Sequence, residues 1–237
     1  MGGALQREAV GGGRGRARGG ALTVVFLHAF PLDERMWPGD ATAPRLYGLG
    51  RTMVEWAEAV LEAYPGHLVL VGASMGGYAA LAAARRAPER IAGLLLAGSR
   101  PEPDTAERRT KRAETIALAR ERGAEGVWAA MRPSLFHDDS DPEVVERARV
   151  LALERTEQEL VTAVEAIRDR IDSSDVYRAL GERALTVVGD RDPFVPVEDA
   201  RAFEPDAVVL PECAHLPSLE RPAEFNLLLD EALARWR

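Results

Sequence analysis

The chain has 237 residues, a formal net charge of −8 and a single cysteine. That length suits one large α/β domain with an insertion and is too short for two full domains, and the net acidity counts against a nucleic-acid partner, whose phosphates demand basic surface. One cysteine excludes an intramolecular disulfide, and Lys111, the only lysine, leaves no Gly-Lys pair for a Walker-type phosphate loop.

Residues 1–20 are dominated by Gly11-Gly12-Gly13-Arg14-Gly15-Arg16-Ala17-Arg18-Gly19-Gly20 and read as a flexible basic lead-in. So short an arginine-glycine tract on an acidic protein is not read as an RNA-binding element. It also precedes the first strand, which rules out a dinucleotide loop. The first apolar stretch begins at Ala21 and has the length and β-branching of a strand, Thr23 to Leu27, so no secretory leader is expected. No run approaches the roughly 18 apolar residues of a membrane span. A cytoplasmic protein without membrane contact is the expectation. The next candidate strand is Ala41–Ala43, which leaves only residues 28–40 between the two. A parallel crossover needs about a dozen residues or more and usually a helix, so the first crossover helix is expected to be shortened or lost.

His67 to Val71 reads as a buried strand and Tyr78 to Arg86 as a helix. Between them stands Gly72-Ala73-Ser74-Met75-Gly76, a serine flanked by glycines at a strand-to-helix turn. This is the pattern of a nucleophile elbow, a strained hairpin of backbone that holds a hydroxyl out at the sheet's edge and needs small neighbours because backbones approach closely there. A further strand, Ile91 to Leu96, follows. Residues 101–181 then read as all helix, with Asp141-Pro142-Glu143 as an N-cap followed by proline and Thr156-Glu157-Gln158-Glu159 at capping-box spacing. Leu160, Val164, Ile167 and Ile171 form one apolar stripe at helical period, read as core packing. Strands resume with Leu185 to Val188 and Ala207 to Leu210, and a final helix covers Pro222 to Trp236.

A serine hydroxyl needs a base, and the chain has four histidines. His67 opens the strand that ends at the elbow, so it lies at the opposite end of the sheet. His137 falls in a polar surface loop between helices. His28 ends the first strand and His215 follows the last, so both stand at the correct edge, with His215 the better candidate and His28 read as structural. An acid must fix the base's tautomer. Asp190 or Asp192, just past the strand Leu185 to Val188, lies where parallel α/β sheets bind ligands. The order Ser, Asp, His is that of the elbow-bearing fold. Cys213, two residues before His215, is read as small loop packing.

Three separated blocks resemble the α/β-hydrolases, in their esterase, lactonase and haloperoxidase-like branch. Leu27-His28-Ala29-Phe30-Pro31-Leu32-Asp33 through Met36-Trp37 resembles the oxyanion loop, with alanine in place of the commoner glycine. Val71 to Gly77 resembles the elbow. Gly189-x-x-Asp192 and Cys213-Ala214-His215-Leu216-Pro217, followed by Glu220-Arg221-Pro222, resemble the acid and histidine loops, and the first of these selects Asp192. The pair of antiparallel strands with which the family opens has no match in the lead-in.

The resemblance implies a mostly parallel central sheet flanked by helices, with a core over 21–100 and 182–237 and a helical cap over 101–181. It implies catalysis by Ser74, His215 and Asp192, an acyl-enzyme intermediate, and an oxyanion hole from the backbone N–H groups of Phe30 and Met75. Each such donor is worth roughly 10²–10³ in turnover. His28 would orient the oxyanion loop. Candidates for lining the pocket are Trp128, Met131, Leu135 and Phe136. No metal or organic cofactor is implied, and the partner is a small ester or lactone. Carbon–carbon bond hydrolysis and perhydrolysis use the same residues, whereas haloalkane dehalogenases and epoxide hydrolases place an aspartate where Ser74 stands. Thioesters are a further class, without any match to a coenzyme A site. The competing expectation is a non-catalytic, receptor-like member that binds a small ligand beneath the cap.

Overall fold

The computed structural model describes residues 22–236, so the lead-in over residues 1–20 lies outside it. Five strands, β1 (Leu22–Leu27), β2 (His67–Ala73), β3 (Ile91–Ala97), β4 (Ala184–Gly189) and β5 (Val208–Leu210), form one parallel sheet in the order β1-β2-β3-β4-β5. The helices that join them are α1 (Met53–Ala63), α2 (Met75–Arg86), α3 (Ala106–Leu135), α4 (Pro142–Leu153), α5 (Glu157–Arg168), α6 (Ser174–Leu180) and α7 (Val197–Phe203). After β5 come the short α8 (Pro217–Glu220) and the terminal α9 (Pro222–Trp236).

The central strands are continuous apolar runs because both faces are covered. Side chains alternate between the faces. Leu68, Leu70, Leu94 and Leu96 point into the cluster formed with α1 and α2, whereas Val69, Val71 and Leu95 join Phe225, Leu229 and Trp236 of α9.

The strand expected at Ala41–Ala43 does not form. What survives is one backbone hydrogen bond, from Phe26 N–H to the Thr42 carbonyl at 2.9 Å, on the outer edge of β1. Pro38 and Pro44 bracket the run, and a proline has no N–H to extend a ladder. Nor is the first crossover helix lost. It is α1, which starts late and is fixed by a capping box in which Thr52 Oγ1 accepts from Glu55 N–H at 3.2 Å and Glu55 accepts from Thr52 N–H at 3.0 Å.

The segment between β3 and β4 holds only helices, α3 to α6, with α3 broken at Gly123 (φ +59°). Asp141 caps α4 by accepting from Glu143 N–H at 2.8 Å, and Thr156 with Glu159 forms the capping box of α5. The α5 stripe stops short of its expected length. Leu160, Val164 and Ile167 are buried, but the helix ends at Arg168 and Ile171 is 56% exposed. The polar residues beyond the helix are drawn elsewhere: Arg170 donates to the buried Asp104 at 2.7 Å, and Asp172 caps Ser174 at 2.8 Å.

This helical insertion is fastened to the segment after β1 through Asp33, whose side chain is wholly buried. Arg155, from the α4–α5 junction and itself buried, reaches Asp33 Oδ2 at 2.9 Å, while Arg35 bonds both Asp33 (2.6 Å) and Glu154. Burial opposes ionisation of Asp33, yet the hydrogen bonds from Arg35 and the charge of Arg155 hold its carboxyl below the usual range. Among the described residues, no helix is long and apolar enough to cross a membrane.

Candidate active site

β2 ends at Ala73 and α2 begins at Met75, so Ser74 alone makes the turn. Its backbone lies at φ +48°, ψ −110°, a region that costs on the order of 1–3 kcal/mol for a residue with a Cβ. Three hydrogen bonds hold it there. Ser74 N–H donates to the Ala97 carbonyl at 2.8 Å, and the Ser74 carbonyl accepts from Gly77 N–H and Ser99 Oγ, each at 2.9 Å. Gly76 is needed because a Cβ there would overlap the Leu27 carbonyl, so tightly does α2 start against β1.

Ser74 Oγ lies 2.7 Å from Nε2 of His215. On the other side of the ring, Nδ1 lies 3.0 and 2.9 Å from the two carboxylate oxygens of Asp192. Since the carboxylate only accepts, Nδ1–H is the donor, and Nε2 is left to accept from the serine hydroxyl. Asp192 Oδ1 also accepts from the N–H groups of Phe194 (2.8 Å) and Val195 (3.1 Å), which fixes the carboxylate independently of the histidine. The Phe194 ring meets the imidazole edge-on at 4.6 Å between centroids. Asp190 takes no part in this row, because its carboxylate accepts from Cys213 N–H at 3.2 Å.

The loop that carries His215 packs between the end of α3 and the end of β3. His215 N–H donates to the Leu135 carbonyl at the end of α3 (3.3 Å). Beneath it Gly98, at φ +57°, leaves space that a Cβ would take from the His215 carbonyl. Cys213 is fully buried, and its thiol is pushed up in pKa by burial and then by the nearby Glu220 carboxylate, so it stays protonated.

His28 is fully buried behind the segment that bears Phe30. Its Nε2 accepts from Leu46 N–H at 3.0 Å, which leaves Nδ1–H to donate to the Ala29 carbonyl at 3.2 Å. A planar peptide places its N–H opposite its carbonyl, so this bond sets the direction of the Phe30 N–H. Ala29 N–H is held in turn by Met36 Sδ at 3.2 Å. Burial pushes the His28 pKa down to about 4. Below its ordinary value of 6.5 the unfolded chain takes up a proton that the folded protein refuses until about 4, so stability falls across that window and is level below it. The loss from this group amounts to about 3 kcal/mol. In His28→Gln the difference in unfolding free energy between neutral and acid pH, read by urea titration, should shrink by that amount.

Of the residues singled out in the sequence, Ser74, His215 and Asp192 therefore stand in one hydrogen-bonded row. Met75 contributes the first N–H of α2, one of the four with no partner inside the helix. Phe30 follows β1 with its side chain buried. His67 is exposed at the far end of β2, and His137 lies between α3 and α4. Among the described residues, no group of three or more His, Cys, Asp or Glu side chains is placed to hold a metal ion. Sequence reading passed over Ser99 and Gly98, which sit just after β3 and carry no motif of their own.

Residues 24–226 match the alpha/beta hydrolase family. The chain belongs to this family. An esterase from Thermogutta terrifontis is similar to this hydrolase in both sequence and structure, at 31% identity and a TM-score of 0.81, covering 91% of this chain and 90% of that one. A pimeloyl-[acyl-carrier protein] methyl ester esterase from Aromatoleum aromaticum is 26% identical, over 89% of this hydrolase and 97% of that protein. The enol-lactonase from Burkholderia xenovorans shares the fold at 20% identity, with a TM-score of 0.77 over 92% and 93% of the two chains.

Proposed function

We propose that this chain is a serine hydrolase that cleaves small carboxylic esters or lactones. The observation that carries the reading is the hydrogen-bonded row from Ser74 Oγ through His215 to Asp192, at 2.7 Å and 2.9 Å. Ser74 Oγ attacks the carbonyl carbon while Nε2 of His215 takes its proton, and Asp192 stabilises the resulting imidazolium. The N–H groups of Phe30 and Met75 hold the tetrahedral oxyanion. Collapse expels the alcohol, which receives the proton from His215, and leaves an acyl group on Ser74. Water, deprotonated by the same imidazole, then releases the acid.

In this reading residues 101–181 form a cap over a core of residues 21–100 and 182–237. Support comes from packing. Trp128, Leu135 and Phe136 of the insertion share one buried cluster with Ala29 and Leu32, which flank Phe30, and with Leu216, which follows His215; Met131 is half-buried against it. Those four side chains are the proposed apolar wall for the substrate. The esterases similar to this chain agree with an ester substrate.

The test is turnover of p-nitrophenyl acetate, butyrate and octanoate by the purified protein, with a serine-reactive phosphonate as covalent probe. Hydrolysis with the label on Ser74 is expected, and the trend with chain length measures the pocket. A folded protein with neither turnover nor label would instead be a ligand-binding member of the family.

A further inference from the structure

Glu220 sits at the end of α8 with its carboxylate among five donors. Oε1 accepts from Ala214 N–H and Leu216 N–H, both at 3.1 Å, so it bonds the residues on either side of His215. The Cys213 thiol points at the same oxygen from 3.7 Å. Oε2 accepts from His137 N–H at 2.7 Å and from Ser140 Oγ at 2.9 Å, both in the loop between α3 and α4. Among the described residues no lysine, arginine or histidine lies within ion-pair distance of this carboxylate, and hydrogen bonds alone satisfy it. The next residue, Arg221, donates to the carbonyls of Pro211 (3.1 Å) and Glu212 (2.7 Å) and so holds the other end of the same loop.

A carboxylate is a suitable clamp here because it accepts on both oxygens and donates nothing. An amide of the same shape must turn an NH2 group toward either the histidine loop or the insertion loop, where N–H and O–H donors already point. We infer that Glu220 is a positioning residue for His215, and that through it the loop between α3 and α4 sets where the imidazole stands relative to Ser74. The inference rests on the proposed hydrolytic role of Ser74 and His215. It adds that the insertion helps to aim the base, beyond covering it. Misplacement of a reacting group by about an ångström costs up to about a hundredfold in rate.

The experiment compares wild type, Glu220→Gln and Ser140→Ala by p-nitrophenyl butyrate kinetics per phosphonate-titrated site, thermal unfolding, and the low-field proton resonance of His215 Nδ1–H, assigned by its absence in His215→Gln. In folded Glu220→Gln, kcat should fall by on the order of tenfold to a hundredfold with KM little changed, and the resonance should shift or broaden. Ser140→Ala, which leaves the histidine loop's own bonds intact, should lower kcat several-fold and move the resonance without lowering the melting temperature. Glu220→Gln that melts earlier but keeps wild-type kcat per site and an unmoved resonance would overturn the inference, as a purely structural brace behaves that way. Should Glu220→Gln fail to fold, an unmoved resonance and unchanged kcat in Ser140→Ala overturn it equally. If the wild type hydrolyses no ester the functional reading fails, and the resonance still reports whether Glu220 aims the imidazole.

Discussion

Ser74→Ala should lose ester hydrolysis by on the order of 10⁴–10⁶ in kcat while remaining folded. The substitution removes the atom proposed to form the acyl bond and leaves what holds the turn. The bonds from Ser74 N–H to Ala97 and from Ser99 Oγ and Gly77 N–H to the Ser74 carbonyl are made by backbone atoms of residue 74, which alanine keeps. His215 loses its contact on Nε2 but keeps Asp192 on Nδ1. The melting temperature should therefore fall by no more than about ten degrees, since losing this part-buried bond and leaving His215 Nε2 unpaired costs about 1–3 kcal/mol. Steady-state assay, circular dichroism and loss of phosphonate labelling check the three parts together. Turnover within about tenfold of wild type in a pure preparation would mean that another group is the nucleophile.

Asp192→Asn should cost on the order of 10⁴ in kcat with KM little altered. The backbone decides this outcome. Phe194 N–H and Val195 N–H point at Oδ1, so an asparagine keeps its carbonyl oxygen there and turns its NH2 to the position of Oδ2. That NH2 then faces His215 Nδ1, which must accept rather than donate, and the ring proton moves to Nε2. An imidazole protonated at Nε2 donates toward Ser74 Oγ and cannot take its proton. Phosphonate labelling should slow in parallel with turnover, because both start with the same proton transfer. Labelling at the wild-type rate alongside lost turnover would place the role of Asp192 after acylation.

The parts of the fold that were legible in the sequence are those that local chemistry dictates. A serine between glycines at a strand end, an aspartate three residues after Gly189 and a histidine just past the last strand each lie where backbone geometry restricts the choice of residue. The capping box at Thr156 and the proline after Asp141 were legible for the same reason, whereas the equivalent box at Thr52 emerged only in the structure. Ala41–Ala43 was misleading because three residues of suitable type do not make a strand without a partner, and the flanking prolines deny them one. Ile171 kept the helical period on paper but fell beyond the helix, where Arg170 is drawn to the buried Asp104. Glu220 was visible only as part of a motif. What it does depends on donors about eighty positions away, His137 and Ser140, and spacing along the chain carries no trace of that.

The ion-pair group around Asp33 bears on the order in which the chain acquires its chemistry. Arg35 and Glu154 are 119 positions apart, and Arg155 reaches Asp33 across nearly the same stretch. Contacts of such separation close late, after the entropy of a long loop has been overcome, whereas capped helices form locally and early. Until α4 and α5 dock, Asp33 has Arg35 beside it in the same segment but lacks the buried Arg155. The pairing of β3 with β4, Leu94 with Ala184, spans a comparable stretch, so the segment from His28 to Met36 takes its final place only as the whole sheet closes around the helices between those strands, and the N–H proposed for the oxyanion is aimed by the same event.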